Sequence, residues 1–332
     1  MKNSFSQGGP HALKTDLSVN RLAWRLLEKL CENPDYYGVK VERAKNGALL
    51  VDAGISARGG FQAGKIITEI CMGGCGKARI TCRQYGELKL PTIFVYTDHP
   101  AIATLGSQFA GWNIKEGDYF AIGSGPARAL AQKPREIYER LGYKDECDKT
   151  IVVLETDKHP PETLIARLAR DCKVEEANLA IILTPTASVA GATQVAGRIV
   201  ETGIHKLNEL GLDPKTILYA WGCAPIPPVH PKFVKAMART NDAILYGGIT
   251  YYMVNYENEE ELAKIVEKAP SKASKDYGRP FLEIFRAAGY DFYKIDPNIF
   301  APAVVIINNL KTGNTFRAGE ININALKESF GL

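Results

Sequence analysis

The 332-residue sequence lacks the patterns that mark several large classes of protein. Its 41 lysines and arginines barely exceed its 37 aspartates and glutamates and form no basic run, which argues against a nucleic-acid partner. No uninterrupted apolar run approaches about 18 residues, so no membrane span is expected. Residues 1–16 contain no hydrophobic signal core and are interpreted as a flexible extension. The expectation is therefore a cytoplasmic protein.

Cysteine and histidine are present without the spacings that predict a metal site or a hydrolase motif. The seven cysteines include no CxxC pair, and their one cluster (Cys71, Cys75 and Cys82) has no histidine close in sequence. Reduced thiols are expected, with a metal site at this cluster as the alternative. The five histidines form no HExxH motif, and no Gly-x-Ser-x-Gly elbow occurs. No metal is predicted.

One glycine-containing segment raises the question of phosphate binding. Residues 123–128 read GSGPAR, which lacks the third glycine of a dinucleotide fingerprint. No Lys-Ser or Lys-Thr pair follows, as a P-loop would require. A loop that leads into a helix is therefore the simpler interpretation.

The sequence does contain many alternating helix and strand signals. Ser18 precedes leucines at helical spacing, and two alternating runs flank Asn46-Gly47, which predicts a capped helix followed by a β-hairpin. Further predicted strands are 78–85, 92–97, 150–156, 178–184, 216–221, 242–254, 303–308 and 314–321. Further predicted helices are 66–70, 102–110, 160–172, 194–207, 231–240, 257–267 and 279–288. This mixture favours an α+β (mixed α/β) fold.

The length and one charged stretch together predict two domains. A chain of this size corresponds to about two domains at about 100–200 residues each. Residues 143–149, YKDECDK, are polar and charged and predict a boundary there. The expected division is an N-terminal α+β domain over 17–145 and a C-terminal α+β domain over 146–332.

A polar stripe runs along the predicted helix 194–207. Its members, at spacings of four, three and four, are Gln194, Arg198, Glu201 and His205. Arg198 and Glu201 can touch on such a helix, and a solvated ion pair is the simplest interpretation. The base precedes the acid, which is the less stabilising order, and Gly197 and Gly203 leave space beside the pair. The stripe is thus either a solvated face or the wall of an active site.

Several long blocks carry more information than their periodicity. In chain order they are SVNRLA, NGALLVDAGISARGGFQAGKIITEICMGG, GSQFAGW, LTPTASVAGATQVAGRIVETGIHKL, GCAPIPP, YGRPFLEIFRAAGYDFYKIDPNIFAPA and NNLKTGNTFRAGEININALKESFG. Together they resemble the methenyltetrahydromethanopterin cyclohydrolase family, in that family's order, from about Ser18 to Phe330. The length and unusual composition of the blocks make chance a poor explanation.

The resemblance implies a reaction and an assembly. Members of the family convert the N5,N10-methenyl-tetrahydromethanopterin cation and water, reversibly, into the N5-formyl derivative in one-carbon metabolism. They use no metal and no organic cofactor apart from the pterin substrate. They form homotrimers, and each subunit binds the pterin in a cleft between two domains. The same properties are expected for this chain.

The resemblance also assigns site residues. The family's catalytic Arg-x-x-Glu matches Arg198 and Glu201. Glu201 is expected to act as general base on water, and Arg198 to tune the pKa of Glu201 and orient that water. A segment that lines the reacting carbon in the family matches Ser107, Gln108, Phe109 and Ala110. Gln194 and His205 are expected beside the site or on the helix surface.

Two other functions stay open from the sequence. A pterin or folate dehydrogenase would act on the same one-carbon unit, but it needs a dinucleotide site, and the sequence shows none. A non-catalytic pterin carrier would keep the pocket without the reaction, and the intact Arg198–Glu201 pair argues against it.

Overall fold

The computed structural model describes residues 15–291 and 294–332 and contains two six-stranded sheets with helices packed on them. The strands are β1 (Lys40–Arg43), β2 (Leu49–Asp52), β3 (Gly76–Tyr85), β4 (Leu88–Thr97), β5 (Trp112–Glu116), β6 (Tyr119–Ser124), β7 (Thr150–Glu155), β8 (Leu179–Leu183), β9 (Ile217–Pro225), β10 (Ile249–Val254), β11 (Val304–Asn309) and β12 (Thr315–Gly319). The predicted α+β fold is confirmed. The predicted flexible extension, residues 1–16, lies outside the described residues except for its last two positions.

The described residues also form thirteen α-helices. They are α1 (Val19–Glu32), α2 (Pro34–Tyr37), α3 (Phe61–Cys71), α4 (Pro100–Ala103), α5 (Ala127–Ala131), α6 (Arg135–Leu141), α7 (Glu162–Cys172), α8 (Val189–Ala196), α9 (Ile199–Glu209), α10 (Phe233–Gly247), α11 (Glu259–Lys268), α12 (Phe281–Ala287) and α13 (Ile323–Phe330). The Ser18 hydroxyl accepts a hydrogen bond from the Arg21 amide and caps α1, as predicted. The predicted hairpin is the antiparallel pair β1–β2.

The first sheet has the strand order β1-β2-β8-β7-β6-β5. Strands β2, β8 and β7 are parallel neighbours, and the outer pairs are antiparallel. Both faces of β7 and β8 are covered: α1 and α3 pack on one face, and α7 packs on the other. This double burial explains the continuous apolar runs of these two strands, because neither face meets water.

The second sheet has the order β12-β11-β10-β9-β4-β3, and only β10 and β11 are parallel. One face packs against α9, where Ile199, Ile204 and Leu207 join one buried cluster with sheet residues such as Ile93 and Tyr252. Strands from both sides of residue 145 enter each sheet. The domain boundary at 145/146 stays a prediction.

The single helix predicted over 194–207 is wrong at its centre. α8 ends at Ala196, α9 begins at Ile199, and the Arg198 amide bonds the carbonyl of Val195, three residues back. Gly197 is a weak helix former, and a Cβ at this position would lie 2.6 Å from the Thr68 side chain on α3. Close packing of α8 on α3 therefore favours the residue that also weakens the helix.

The strand predicted over 242–254 is wrong in its first half. Residues up to Gly247 belong to α10, and β10 begins only at Ile249. The segment DAILYG is buried on all sides, so its short apolar run fits a strand or a buried helix equally well. The elements α2, β5, β6, α6 and α13 were not predicted.

The glycine-rich segment after β2 is organised by one carboxylate. Asp52 Oδ1 accepts from the amides of Gly54 (2.9 Å) and Ile55 (2.7 Å). Its Oδ2 accepts from the amides of Ser56 (2.7 Å) and Ala57 (3.0 Å) and from the Ser56 hydroxyl (2.6 Å). Burial raises the pKa of Asp52, but these hydrogen bonds outweigh burial and lower it to about 2. The carboxylate thus fixes the turn that leads into α3.

We expect Asp52→Asn to lower the free energy of unfolding by about 2 kcal/mol near neutral pH. The pKa of Asp52 is about 2 in the folded protein against 3.8 for an ordinary aspartate, so its stabilisation is present above the higher value and disappears as the pH falls toward the lower one. Urea unfolding of wild type and variant at about pH 7 and about pH 3 measures this difference. The control is Asp118→Asn at an exposed turn. An equal gap at both pH values would contradict the assignment.

Candidate active site

Helix α9 presents Glu201 to a cavity of about 440 Å³. The apolar part of the lining comes from Phe109, Ile244, Leu245, Leu210, Pro297 and Phe300. The polar part comes from Glu201, Thr202, His205, Lys206, Glu209, Asn241 and Asn298. Aromatic and aliphatic walls with a few polar groups, in a cavity of this volume, suit a small heteroaromatic ligand.

The Glu201 carboxyl is poised to change its protonation near neutral pH. Glu201 is only 5% exposed. Burial raises the pKa of Glu201, the Arg198 charge and then the Arg128 charge lower it, and the result is about 7. Within residues 15–291 and 294–332, its oxygens neither accept a hydrogen bond nor join an ion pair. Such a carboxyl can both accept and return a proton under physiological conditions.

Arg198 sits at the break between α8 and α9, and uncharged acceptors hold its guanidinium. Nη1 donates to the backbone carbonyl of Gln108 (2.5 Å). Nη2 donates to the Ser124 hydroxyl (2.8 Å) and to Gln194 Oε1 (3.1 Å). The residue is 8% exposed, so these bonds form away from water. One arginine thereby joins the end of β6, the segment after α4 and the last turn of α8.

Arg198 and Glu201 do not form the ion pair that their spacing permits. No ion pair between them, at 4.0 Å or less, occurs among those of the described residues. The helix break alters the i, i+3 geometry, and neutral acceptors occupy both terminal nitrogens of the guanidinium. The arginine therefore acts on Glu201 through its nearby charge.

The four residues predicted to line the reacting carbon take different positions. Ser107 and Gln108 end a π-helical turn, Thr104–Gln108, and both are fully buried. The Ser107 hydroxyl donates to the carbonyl of Cys71 (2.7 Å), and Gln108 Nε2 donates to the carbonyl of Gly197 (3.1 Å). π-helical turns occur frequently at functional sites.

Phe109 is the member of this segment that reaches the cavity, whereas Ala110 is not part of its lining. The Phe109 ring stacks on His205, with centroids 4.7 Å apart and planes at 16°. His205 therefore supports a cavity wall, and burial lowers its pKa, which favours the neutral imidazole. That Ser107, Gln108, Phe109 and Ala110 bind the substrate stays a prediction.

Arg128 was not predicted as a site residue, although it lies in the GSGPAR segment. Its guanidinium is fully buried and donates to the carbonyls of Lys133 (2.8 Å), Leu105 (3.0 Å) and Ser107 (3.2 Å). Its charged carbon lies 5.2 Å from the centroid of the Phe109 ring. A second buried cation thus supports the π-helical turn. The sequence offers no signal for it, because the partners are backbone carbonyls.

The small residues beside the pair serve packing rather than access to the site. A Cβ at Gly203 would lie 2.0 Å from the Tyr252 hydroxyl, which donates to the carbonyl of Val200 (3.0 Å). Gly197 makes the corresponding close approach to Thr68. The interpretation of these glycines as space around the Arg198–Glu201 pair is therefore wrong. They bring α8 and α9 close to α3 and β10.

Two features are absent from the described residues. Residues 15–291 and 294–332 contain no group of three or more histidine, cysteine, aspartate or glutamate side chains arranged to hold a metal ion. Over the same residues, every helix is too short or too polar to span a bilayer.

The geometry defines a class of protein: a two-sheet α+β enzyme with a titratable buried carboxyl on an aromatic-walled cavity. Comparison with known proteins specifies this class. A family model described as "Cyclohydrolase (MCH)" matches residues 18–330. The chain is 46% identical over 319 residues to the methenyltetrahydromethanopterin cyclohydrolase of Methanocaldococcus jannaschii, covering 95% of this chain and 98% of that protein.

Further relatives agree with that match. The enzyme of the same name from Methanothermobacter thermautotrophicus is 45% identical over 321 residues, 95% of this chain and 100% of the relative. That of Methanospirillum hungatei is 46% identical over 316 residues, 95% of this chain and 99% of the relative. The chain therefore belongs to the MCH cyclohydrolase family and is a hydrolase.

Proposed function

We propose that this chain hydrolyses N5,N10-methenyl-tetrahydromethanopterin reversibly to N5-formyl-tetrahydromethanopterin, in the cytoplasm and without a metal or organic cofactor. The names of the relatives support the substrate. The observation that carries the mechanism is the buried Glu201 carboxyl, with a pKa of about 7, on the wall of the cavity. The pterin ring would lie between the Phe109 and Phe300 sides of that cavity.

The first step forms a carbon–oxygen bond. The methenyl carbon bridges two nitrogens and already carries positive charge, so it is a good electrophile. Water is a weak nucleophile, and ionised Glu201 takes one of its protons as the oxygen attacks. The nearby Arg198 charge favours the ionised carboxylate. The product is a tetrahedral carbinolamine.

The second step breaks a carbon–nitrogen bond. The proton now on Glu201 passes to N10, directly or through water, so that N10 leaves as a neutral amine. The hydroxyl group of the carbinolamine loses its proton to solvent, and its carbon–oxygen bond becomes the double bond of the formyl group on N5. One carboxyl thus serves as base and then as acid, which requires a pKa near the working pH.

The reaction can be tested by the loss of the methenyl chromophore in water without added nucleotide. Bleaching of the tetrahydromethanopterin derivative supports the cyclohydrolase, and a parallel measurement with the tetrahydrofolate derivative tests the choice of pterin. A dehydrogenase would bleach only with nucleotide present. Binding without bleaching would replace the proposal by a pterin carrier.

We further propose that the chain forms the homotrimer expected for the family through the outer face of the second sheet. Six directly paired residues cross that face from β3 to β12: Lys77, Tyr96, Trp221, Tyr251, Ile306 and Arg317. Tyr219 lies beside this row and is 46% exposed. Helix α9 packs on the opposite face of the sheet, so these six residues lie on the face that α9 does not cover. The four central residues, Tyr96, Trp221, Tyr251 and Ile306, form an apolar patch between Lys77 and Arg317, and a patch of this kind favours subunit contact.

We expect Tyr96→Asp and Tyr219→Asp, separately, to shift a trimeric wild type toward monomer in sedimentation velocity. Each introduces a charge where an aromatic ring would be buried, a loss of about 2 kcal/mol or more per contact. Tyr36→Asp is the matched control, since Tyr36 is 65% exposed on α2, away from this sheet. A wild-type distribution for both sheet variants would exclude this face.

A further inference from the structure

The partners of Arg198 explain why it leaves Glu201 unpaired. Two uncharged side chains, Ser124 and Gln194, both accept from Nη2, and they come from β6 and from α8. Ser124 is 2% exposed and Gln194 is 1% exposed, so both residues are buried. A guanidinium held by these two bonds and by the Nη1 bond to the Gln108 carbonyl cannot turn toward the carboxylate without breaking them.

We infer that Gln194 and Ser124 are positioning residues that hold the Arg198 guanidinium away from the Glu201 carboxylate. This inference rests on the proposed function and deepens it. A direct Arg198–Glu201 ion pair would stabilise the ionised form and leave a weak base that returns its proton poorly. With the guanidinium tethered, its charge offsets part of the burial of Glu201 while the carboxylate stays free to react.

Other groups also act on Glu201 and stay unchanged in the test. Arg128 faces it from α5, the Cys71 thiol from α3 and the Tyr252 hydroxyl from β10. Lys206 and His205 follow it on α9 and line the same cavity. Since none of them bonds Gln194, a variant of Gln194 changes the tether and leaves these charges in place.

The test uses two substitutions of opposite effect in the full-length protein. Gln194→Leu removes one of the two acceptors of Nη2 and loosens the guanidinium, so the pKa of Glu201 should fall by about one unit. Gln194→Glu binds the guanidinium more tightly and adds a negative charge, so that pKa should rise by about one unit. The double variant Gln194→Leu with Ser124→Ala should exceed the first shift. Residues that only fill space would not produce shifts of opposite sign.

Two readouts separate this inference from the proposed reaction. The acid limb of kcat/KM against pH should move in the direction of each pKa shift. Infrared difference spectra of the protonated carboxyl band, with Glu201→Gln as reference, follow the same titration without substrate. Thr193→Val changes a buried neighbour on α8 that accepts no hydrogen bond from the Arg198 guanidinium, and it should leave both readouts at the wild-type position.

Unmoved titrations in both Gln194 variants, or shifts of the same sign, would overturn the tether. If the infrared titrations shift as expected but the protein does not bleach the methenyl substrate, the tether stands and the proposed reaction fails. If the protein bleaches the methenyl substrate but neither Gln194 variant moves the acid limb of its kcat/KM profile, the proposed reaction stands and the tether fails.

Discussion

Replacing Glu201 with glutamine should reduce kcat by about 10²–10⁴-fold while pterin affinity stays within a few-fold of wild type. Glutamine keeps the shape of the side chain and its place on the cavity wall, but it cannot take a proton from water. The acid limb of the wild-type profile, expected near the Glu201 pKa of about 7, should disappear with it. Stopped-flow bleaching and equilibrium pterin binding measure the two quantities. Near-normal turnover would remove Glu201 from the mechanism.

The same substitution should not unfold the protein, and at alkaline pH it should stabilise it. The pKa of Glu201 rises from 4.5 to about 7 on folding, so the native state holds a proton that the unfolded state releases between these values. Stability therefore falls as the pH rises through this window, and above it the ionised carboxylate carries its full burial penalty. Glu201→Gln removes that penalty, so its Tm relative to wild type should increase from about pH 5 to about pH 8. Glu267→Gln, exposed on α11, should show no such trend.

The proposed catalytic pair could be selected from the sequence, but the reason for its arrangement could not. Arg198 and Glu201 could be predicted from spacing and resemblance, because both lie in one short segment. Their separation depends on Ser124, 74 residues from Arg198 in the chain, and on the backbone of Gln108, 90 residues away. Helical periodicity contains no information on such partners. Local reasoning therefore allowed the two side chains to touch, whereas the tertiary contacts of Arg198 hold its guanidinium on other acceptors.

The elements of the fold that could be predicted were likewise those set by neighbouring residues, and the errors lie where distant residues decide the structure. The cap at Ser18 and the β1–β2 hairpin are set by neighbouring residues, and both were predicted. The break at Gly197 depends on the approach of Thr68 from another helix, and the helical state of residues 242–247 depends on burial from several directions. The far wall of the cavity, from α10 and residues 297–300, is assembled only by the tertiary fold.

Replacing Arg198 with lysine should be nearly as damaging as losing the base, with kcat lowered by about 10²–10³-fold. The guanidinium uses both terminal nitrogens at once, on the Gln108 carbonyl and on Ser124 and Gln194, and a single ammonium cannot span these acceptors. A mobile lysine would instead pair with Glu201 and lower its pKa, so the acid limb should move to lower pH as turnover falls. Steady-state bleaching across pH measures both effects, and Arg140→Lys, an exposed arginine that bonds Asn208 Oδ1, is the control. An active Arg198→Lys enzyme with an unshifted limb would mean that positive charge alone suffices and that the fork geometry is dispensable.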